Sequence, residues 1–298
     1  MLVTLWIIIT ATFFLMKAIP GDPFIDEKAV PKEILQTLYR HYGLDKPLYV
    51  QYGTYLKSII SWKLGPSYKY KSRTVNQIIS ESFPVSAILG LEALFLALSF
   101  GITFVALAAL WQNHWQDYSC MLTAILGISI PSFILATFLQ FLFSMKLGWL
   151  PVARWGTFSQ SILPAVSLAM FPTAFIARIT RSNMLEVLQQ DYIKTATAKG
   201  LNQFQIVINH AMRNALLPVI TYLGPLTANI LSGSFVIEKI FGIPGLGQWM
   251  VNSITNRDYT VIMGTTVFYG AVLLVTIFLV DIAYSFIDPR IKLYARER

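Results

Sequence analysis

The sequence predicts an all-α polytopic membrane protein with six transmembrane helices. Three observations carry that expectation. The 298-residue chain is 55% hydrophobic and 13% charged, far from the roughly 25% charged residues of soluble domains. Apolar stretches long enough to cross a hydrocarbon core of about 30 Å recur along it. The Lys and Arg residues between those stretches divide unevenly, as the orientation rule for membrane helices requires.

The apolar stretches cover residues 2–19, 85–110, 118–145, 162–179, 216–237 and 261–287. Lys17 shortens the first, which raises the alternative of a cleaved leader. The exit Ile19-Pro20-Gly21-Asp22-Pro23 lacks the small-x-small pattern of a cleavage site, so the stretch reads as a retained helix. With the 182–217 loop and the C-terminus placed inside, the inner short loops and tail hold Arg178, Arg181, Lys194, Lys199, Arg213, Arg290, Lys292, Arg296 and Arg298. The outer short loops hold only Lys146, Arg154, Lys239 and Arg257. Both termini are then cytoplasmic. No basic residue precedes the first helix, so either the natural start lies upstream or the other loops set the topology. The long segment 20–83 holds nine more Lys and Arg, but long translocated segments largely escape the rule; the orientation rule explains the relevant part of the net charge of +8 without a nucleic-acid partner.

The organisation that follows is a first helix at 1–19, an outer helical segment at 20–83, a membrane core at 84–289 and a tail at 290–298. In the outer segment a short amphipathic helix starts at Pro31 and a second runs from Pro47 to Ser61. A third covers 74–82 and is expected to stop at Pro84. Tyr39, Tyr42, Tyr49, Tyr52, Tyr55, Trp62, Tyr68 and Tyr70 suit the membrane interface or a peptide-contacting surface. Cys120 is the sole cysteine, so no intrachain disulfide forms.

Within the spans, Ala93, Ala97 and Gly101 recur at four-residue spacing, as do Gly224, Ala228 and Ser232. Small residues one turn apart allow close helix approach. Glu92, Gly224, Ala228 and Ser232 are also the residues available to line a substrate path. Intramembrane acids usually face a cavity or a partner; Asp281 reads as a structural pair with Arg178 or Arg181. The absence of a visible internal repeat argues against an inverted-repeat secondary transporter.

The stretch between Asp191 and Pro218 is polar and rich in small residues. Gly200 ends one short helix in a left-handed conformation. Asn202 caps a second, with Gln205 at the capping-box position. Val207, Ile208, Ala211, Met212 and Ala215 mark its apolar face, and Pro218 opens the next span. Pattern alone leaves two readings, a docking surface and an amphipathic connector.

A-x-A-x-G followed by H-A-x-R-N-A-L-L-P, at 196–218, resembles the coupling-loop signature of binding-protein-dependent ABC importer permeases. F-F-L-M-K-A-I-P-G-D-P-F at 13–24, H-Y-G-L-D-K-P-L-Y-V-Q-Y at 41–52, I-F-G-I-P-G-L-G at 240–247, R-D-Y-T-V-I-M-G at 257–264 and D-I-A-Y-S-F-I-D-P-R at 281–290 extend the resemblance over nearly the whole chain. It is strongest to the oligopeptide/dipeptide/nickel branch, and within it to the first permease subunit of oligopeptide importers. One departure is local: the general E-A-A start of the motif is Lys194-Thr195-Ala196 here, so no acidic contact is available at Lys194.

The resemblance implies the type I transmembrane fold of such importers and half of a translocation pore in a bacterial cell membrane. A homologous second permease, two cytosolic ATPases that use ATP and Mg, and an external binding protein that delivers peptide would complete it. This chain would bind no cofactor and no metal. The coupling residues implied are Asp191, Lys194, Thr195, Ala196, Ala198, Lys199, Gly200, Asn202, His210, Arg213 and Asn214, with Ala196 and Ala198 as the contact surface. Dipeptide or nickel-chelate import by the same branch, and more remotely secondary transport, are the alternatives.

The chain itself agrees with an importer that lacks its own engine. It contains no G-x-x-x-x-G-K-[ST] phosphate loop, and Gly242-Ile243-Pro244-Gly245-Leu246-Gly247 lacks the lysine. An intramembrane enzyme would need H-E-x-x-H, G-x-S-x-G or paired membrane aspartates, and none is present.

Overall fold

A computed structural model describes residues 1–19, 24, 31–70, 72–111, 113–231 and 234–287, without the side chains of Lys32 and 283–287. Over the described residues the chain runs through α1 (Leu2–Ala18), α2 (Lys32–Tyr42), α3 (Leu48–Ile60) and α4 (Val75–Leu110). It continues through α5 (Trp115–Ser129), α6 (Ser132–Lys146), α7 (Phe158–Leu188), α8 (Asp191–Ala198) and α9 (Gln203–Ala215). The last helices are α10 (Leu217–Leu231), α11 (Phe235–Phe241), α12 (Leu246–Thr255) and α13 (Tyr259–Ile287). The predicted tail at 290–298 and Ser232 lie outside the described residues.

Prolines decide where the spans break. Pro84 was expected to stop a helix, yet α4 passes through it and is 36 residues long. A proline removes one hydrogen bond, a loss that packed membrane helices tolerate. Pro131 acts the other way. The residue before a proline is pushed out of the helical region, and Ile130 is extended at φ −89°, ψ 119°. The third span is therefore not one rod: α5 and α6 meet at a bend of 105°. The fifth also differs from expectation. Its helix α10 ends at Leu231, and Ser234 caps a separate short helix α11, which Gly242 closes at φ +62°. The first, fourth and sixth segments are single helices, 17, 31 and 29 residues long.

The helices form two compact units, Met1–Ser86 with Pro244–Leu274, and Ala87–Ile243 with the described residues from Val275 onward. In the first, Leu64, Val75, Ile78, Ile79, Leu246 and Val261 make the apolar centre. Asp258, fully buried, organises the loop above it. Its carboxylate accepts from the Ser67 hydroxyl, from the Tyr68 and Lys69 amides at 3.2 and 3.3 Å, and from Thr260 Oγ1 at 2.9 Å. Several of the aromatics of the outer segment pack on one another and on α1. Tyr42 and Tyr68 meet at 4.6 Å between centroids, and Tyr55 stacks on Phe13 at 5.5 Å. Burial holds the Tyr68 hydroxyl well above the usual phenol range.

In the second unit the small-residue stripe of α4 does what its spacing suggests. Ala93 and Ala97 are fully buried. A Cβ on Gly101 would lie 2.8 Å from Ile176 Cγ2 of α7, and one on Gly127 of α5 would lie 2.9 Å from Ala174 Cβ. Glycine is required at both crossings because α7 comes too close for any side chain.

Candidate coupling surface

The turn between α8 and α9 is built by local chemistry. Gly200 sits at φ +82°, a conformation that costs other residues about 1–2 kcal/mol. Its N–H donates to the Thr197 carbonyl at 2.9 Å, and the Leu201 N–H reaches the Ala196 carbonyl at 3.3 Å. That pair of bonds is a Schellman termination, which satisfies the last carbonyls of α8. Asn202 then opens α9: its Oδ1 accepts from the Gln205 N–H at 2.9 Å, and its own N–H donates to Gln205 Oε1 at 3.2 Å.

The two helices are sealed to the bundle by an apolar cluster. Ile193 and Ala196 of α8 and Ile206, Val207, Ala211, Met212 and Ala215 of α9 are buried. They join Val105 and Ala109 of α4, Ala124 of α5 and Ala174, Ala177 and Met184 of α7. Polar bonds hold the edges. Gln203 Nε2 donates to the Leu110 carbonyl at 3.1 Å, where α4 ends, and Asn214 Nδ2 donates to the Tyr192 hydroxyl at 2.7 Å.

Two expectations are corrected. Ala196 is not a contact surface: it is 6% exposed and faces the chain's own core. Ala198 is exposed, with Asp191, Lys194 and Thr195, and these four share one face at i, i+3, i+4 and i+7. Ile208 is not on the apolar face of α9; it is 38% exposed, and Ile206 is buried instead. The cause is a π-helical segment at Ile206–Ala211, whose wider turn shifts the inward register. Lys199, Gly200, Asn202, His210, Arg213 and Asn214 are all exposed. Lys194 and Asp191 form a solvent-exposed pair at 2.8 Å, which contributes little to stability. Phe204, 60% exposed, was not singled out from sequence; an apolar residue just after a cap was its only signal.

Of the residues proposed for the substrate path, Glu92, Gly224 and Ala228 are described. Gly224 and Ala228 are buried within the chain, and a Cβ on Gly224 would touch Val280 of α13 at 3.4 Å. They serve helix packing. The outward face of α10 is Thr221, Pro225 and Asn229. Beside it lies an open groove of about 460 Å³ lined by Phe175, Ile179, Leu217, Pro218, Thr221 and Tyr222. Glu92 is half-buried, and its Oε2 has no hydrogen-bond partner among the described residues. An acid missed from sequence matters more: Asp117 of α5, fully buried, is held by Arg181 of α7. The sequence had placed Arg181 or Arg178 opposite Asp281.

Comparison with known proteins agrees with this architecture. Residues 101–293 match the model of the binding-protein-dependent transport system inner membrane component, and residues 1–90 match that of its N-terminal region. The chain is 52% identical to the dipeptide transport system permease protein DppB of Bacillus subtilis (strain 168), over 99% of this chain and 96% of that protein. It is 46% identical to the oligopeptide transport system permease protein OppB of Haemophilus influenzae, over 97% and 95%. An inward-facing structure of the MetNI methionine ABC transporter shares the fold, with TM-score 0.56 at 18% identity, covering 70% of this chain and 94% of that one. The apolar spans, the all-helical core and these matches together place the chain in a membrane, and it belongs to the family of binding-protein-dependent transport system inner membrane components.

Proposed function

We propose that this chain is one permease subunit of an ATP-driven importer of short peptides in a bacterial cell membrane, with both termini cytoplasmic. The observation that carries the coupling part is the two-sided character of α8. One side, Ile193 and Ala196, is locked into the cluster shared with α4, α5 and α7. The other, Asp191, Lys194, Thr195 and Ala198, is open. A push on the open side therefore moves three membrane helices as a packed body, because interiors transmit strain and do not absorb it.

In this reading two cytosolic ATPase subunits, each using ATP with Mg, grip the open sides of this subunit and of a homologous second permease. Closure of the ATPase pair favours one access state of the pore, and nucleotide release favours the other. The ligand works only through its different affinity for the two states. An external binding protein delivers the peptide. The substrate class is supported by the names of the relatives, which are dipeptide and oligopeptide permeases. The outward polar face of α10 and the adjoining groove offer the surface for its passage.

The test is reconstitution into proteoliposomes with the second permease, the ATPases and the binding protein. Uptake of a labelled di- or tripeptide should require ATP and all three added components. Uptake driven by an ion gradient without the ATPases would contradict the proposal.

A further inference from the structure

The first unit encloses a cavity of about 490 Å³ whose walls carry an unusual balance of charge. Lys17, Arg40, Lys46 and Lys63 line it together with His41, and no Asp or Glu is among the described residues that line it. No ion pair is formed by Lys17, Arg40, Lys46 or Lys63 among the described residues. Lys17 is half-buried, and Arg40, Lys46 and Lys63 are exposed around the opening, so the cavity presents a positive mouth that draws in an anion. Two further lining groups are unsatisfied. Tyr55 Oη and Gln51 Oε1 are buried and have no hydrogen-bond partner among the described residues, although Gln51 Nε2 is anchored on the Leu44 and Lys46 carbonyls. One is a free donor and the other a free acceptor.

The cavity lies where two membrane helices meet the polar region. Its wall takes Phe13 and Lys17 from the last turns of α1, and Thr260, Met263 and Gly264 from the first turns of α13. That is headgroup depth. Its size exceeds a bare phosphate and falls in the range of small-molecule sites.

We propose that this cavity binds a phosphate-bearing glycerol headgroup, with the cations and the Tyr55 hydroxyl on the phosphate and Gln51 Oε1 accepting from a glycerol hydroxyl. The same chemistry is available from phosphatidylglycerol in the membrane and from free glycerol phosphate. The position at the helix ends favours the lipid, because the aromatic rings that line the cavity, Phe13, Tyr42, Tyr55 and Tyr68, suit the headgroup level.

The experiment is native mass spectrometry of the full chain in detergent, with phosphatidylglycerol or phosphatidylcholine added, and glycerol phosphate as competitor. The wild type should retain phosphatidylglycerol over phosphatidylcholine. Each of Arg40→Gln and Lys63→Gln should weaken retention on the order of fivefold, the equivalent of about 1 kcal/mol per cation. Tyr55→Phe, which leaves the ring stack on Phe13 in place, should weaken it without lowering Tm much, and so separates binding from folding. Displacement by millimolar glycerol phosphate would confirm the site and assign it to the soluble anion; resistance to it would assign it to lipid. Equal retention of both lipids by the wild type, or retention unchanged in all three variants, would overturn the proposal. So would phosphatidylglycerol binding that appears only after Asp22, Asp26 and Glu27 are neutralised, because those acids of the chain would then be the occupants.

Discussion

Arg181 of α7 grips Asp117 of α5 through two hydrogen bonds, Nε to Oδ1 at 2.7 Å and Nη2 to Oδ2 at 2.8 Å. Asp117 also accepts from the Asn113 N–H at 3.1 Å, so three donors converge on a carboxylate that is fully buried. The pair lies two turns before α7 ends and α8 begins, and it fixes α5 to the helix that leads into the coupling surface.

Removing one partner leaves the other charge stranded. Asp117→Ala should lower stability by about 3 kcal/mol, the scale for a broken buried pair. Arg181 is partly exposed, so its single variant Arg181→Met should cost less. The double variant Asp117→Leu/Arg181→Met should recover part of the Asp117 loss. Thermal unfolding in detergent, arranged as a double-mutant cycle, measures the coupling; purely additive effects would deny it.

Gly101 is the tightest crossing of α4 and α7. Gly101→Val must push Ile176 and the Thr173 carbonyl aside, at a cost of about 1–3 kcal/mol by overpacking. Gly101→Val with Ile176→Ala should restore much of that loss. Thermal denaturation of the three variants decides the matter, since a surface glycine would show neither effect.

Gly200 has open space around it, so substitutions there test backbone conformation alone. Gly200→Ala should destabilise by about 1 kcal/mol and Gly200→Asn by less, because asparagine tolerates the left-handed region. Gly200→Pro cannot adopt φ +82° and should uncouple peptide uptake while the protein still inserts. Transport in membrane vesicles, with a protease-accessibility check of topology, reads both.

The parts of the molecule written in local sequence were legible. Asn202 with Gln205 and Gly200 act at short range, and their caps and turns appear where the residues dictate. The apolar spans were legible too, since length and hydropathy are summed over a window. What was not legible depended on partners far along the chain. Nothing near Asp117 announces Arg181, 64 residues later. Pro84 and Pro131 look alike in sequence, and only the surrounding packing lets α4 run through one while α5 and α6 part at the other. The inward turn of Ala196 was missed because alanine fits a partner's groove and a bundle core equally well. The exchange of Ile206 for Ile208 came from a π turn, which a 3.6-residue period does not anticipate.

The central claim is that the open side of α8, and not its buried side, receives the force that drives transport. The direct measurement compares Ala198→Glu with Ala196→Glu in the reconstituted importer, recording ATP-dependent peptide uptake and Tm for each. Ala198→Glu should keep Tm within about 2 °C of wild type, as surface changes do, and lose uptake at least about tenfold. Ala196→Glu buries a charge in the cluster and should lower Tm first. Wild-type uptake by the Ala198→Glu protein would contradict the account.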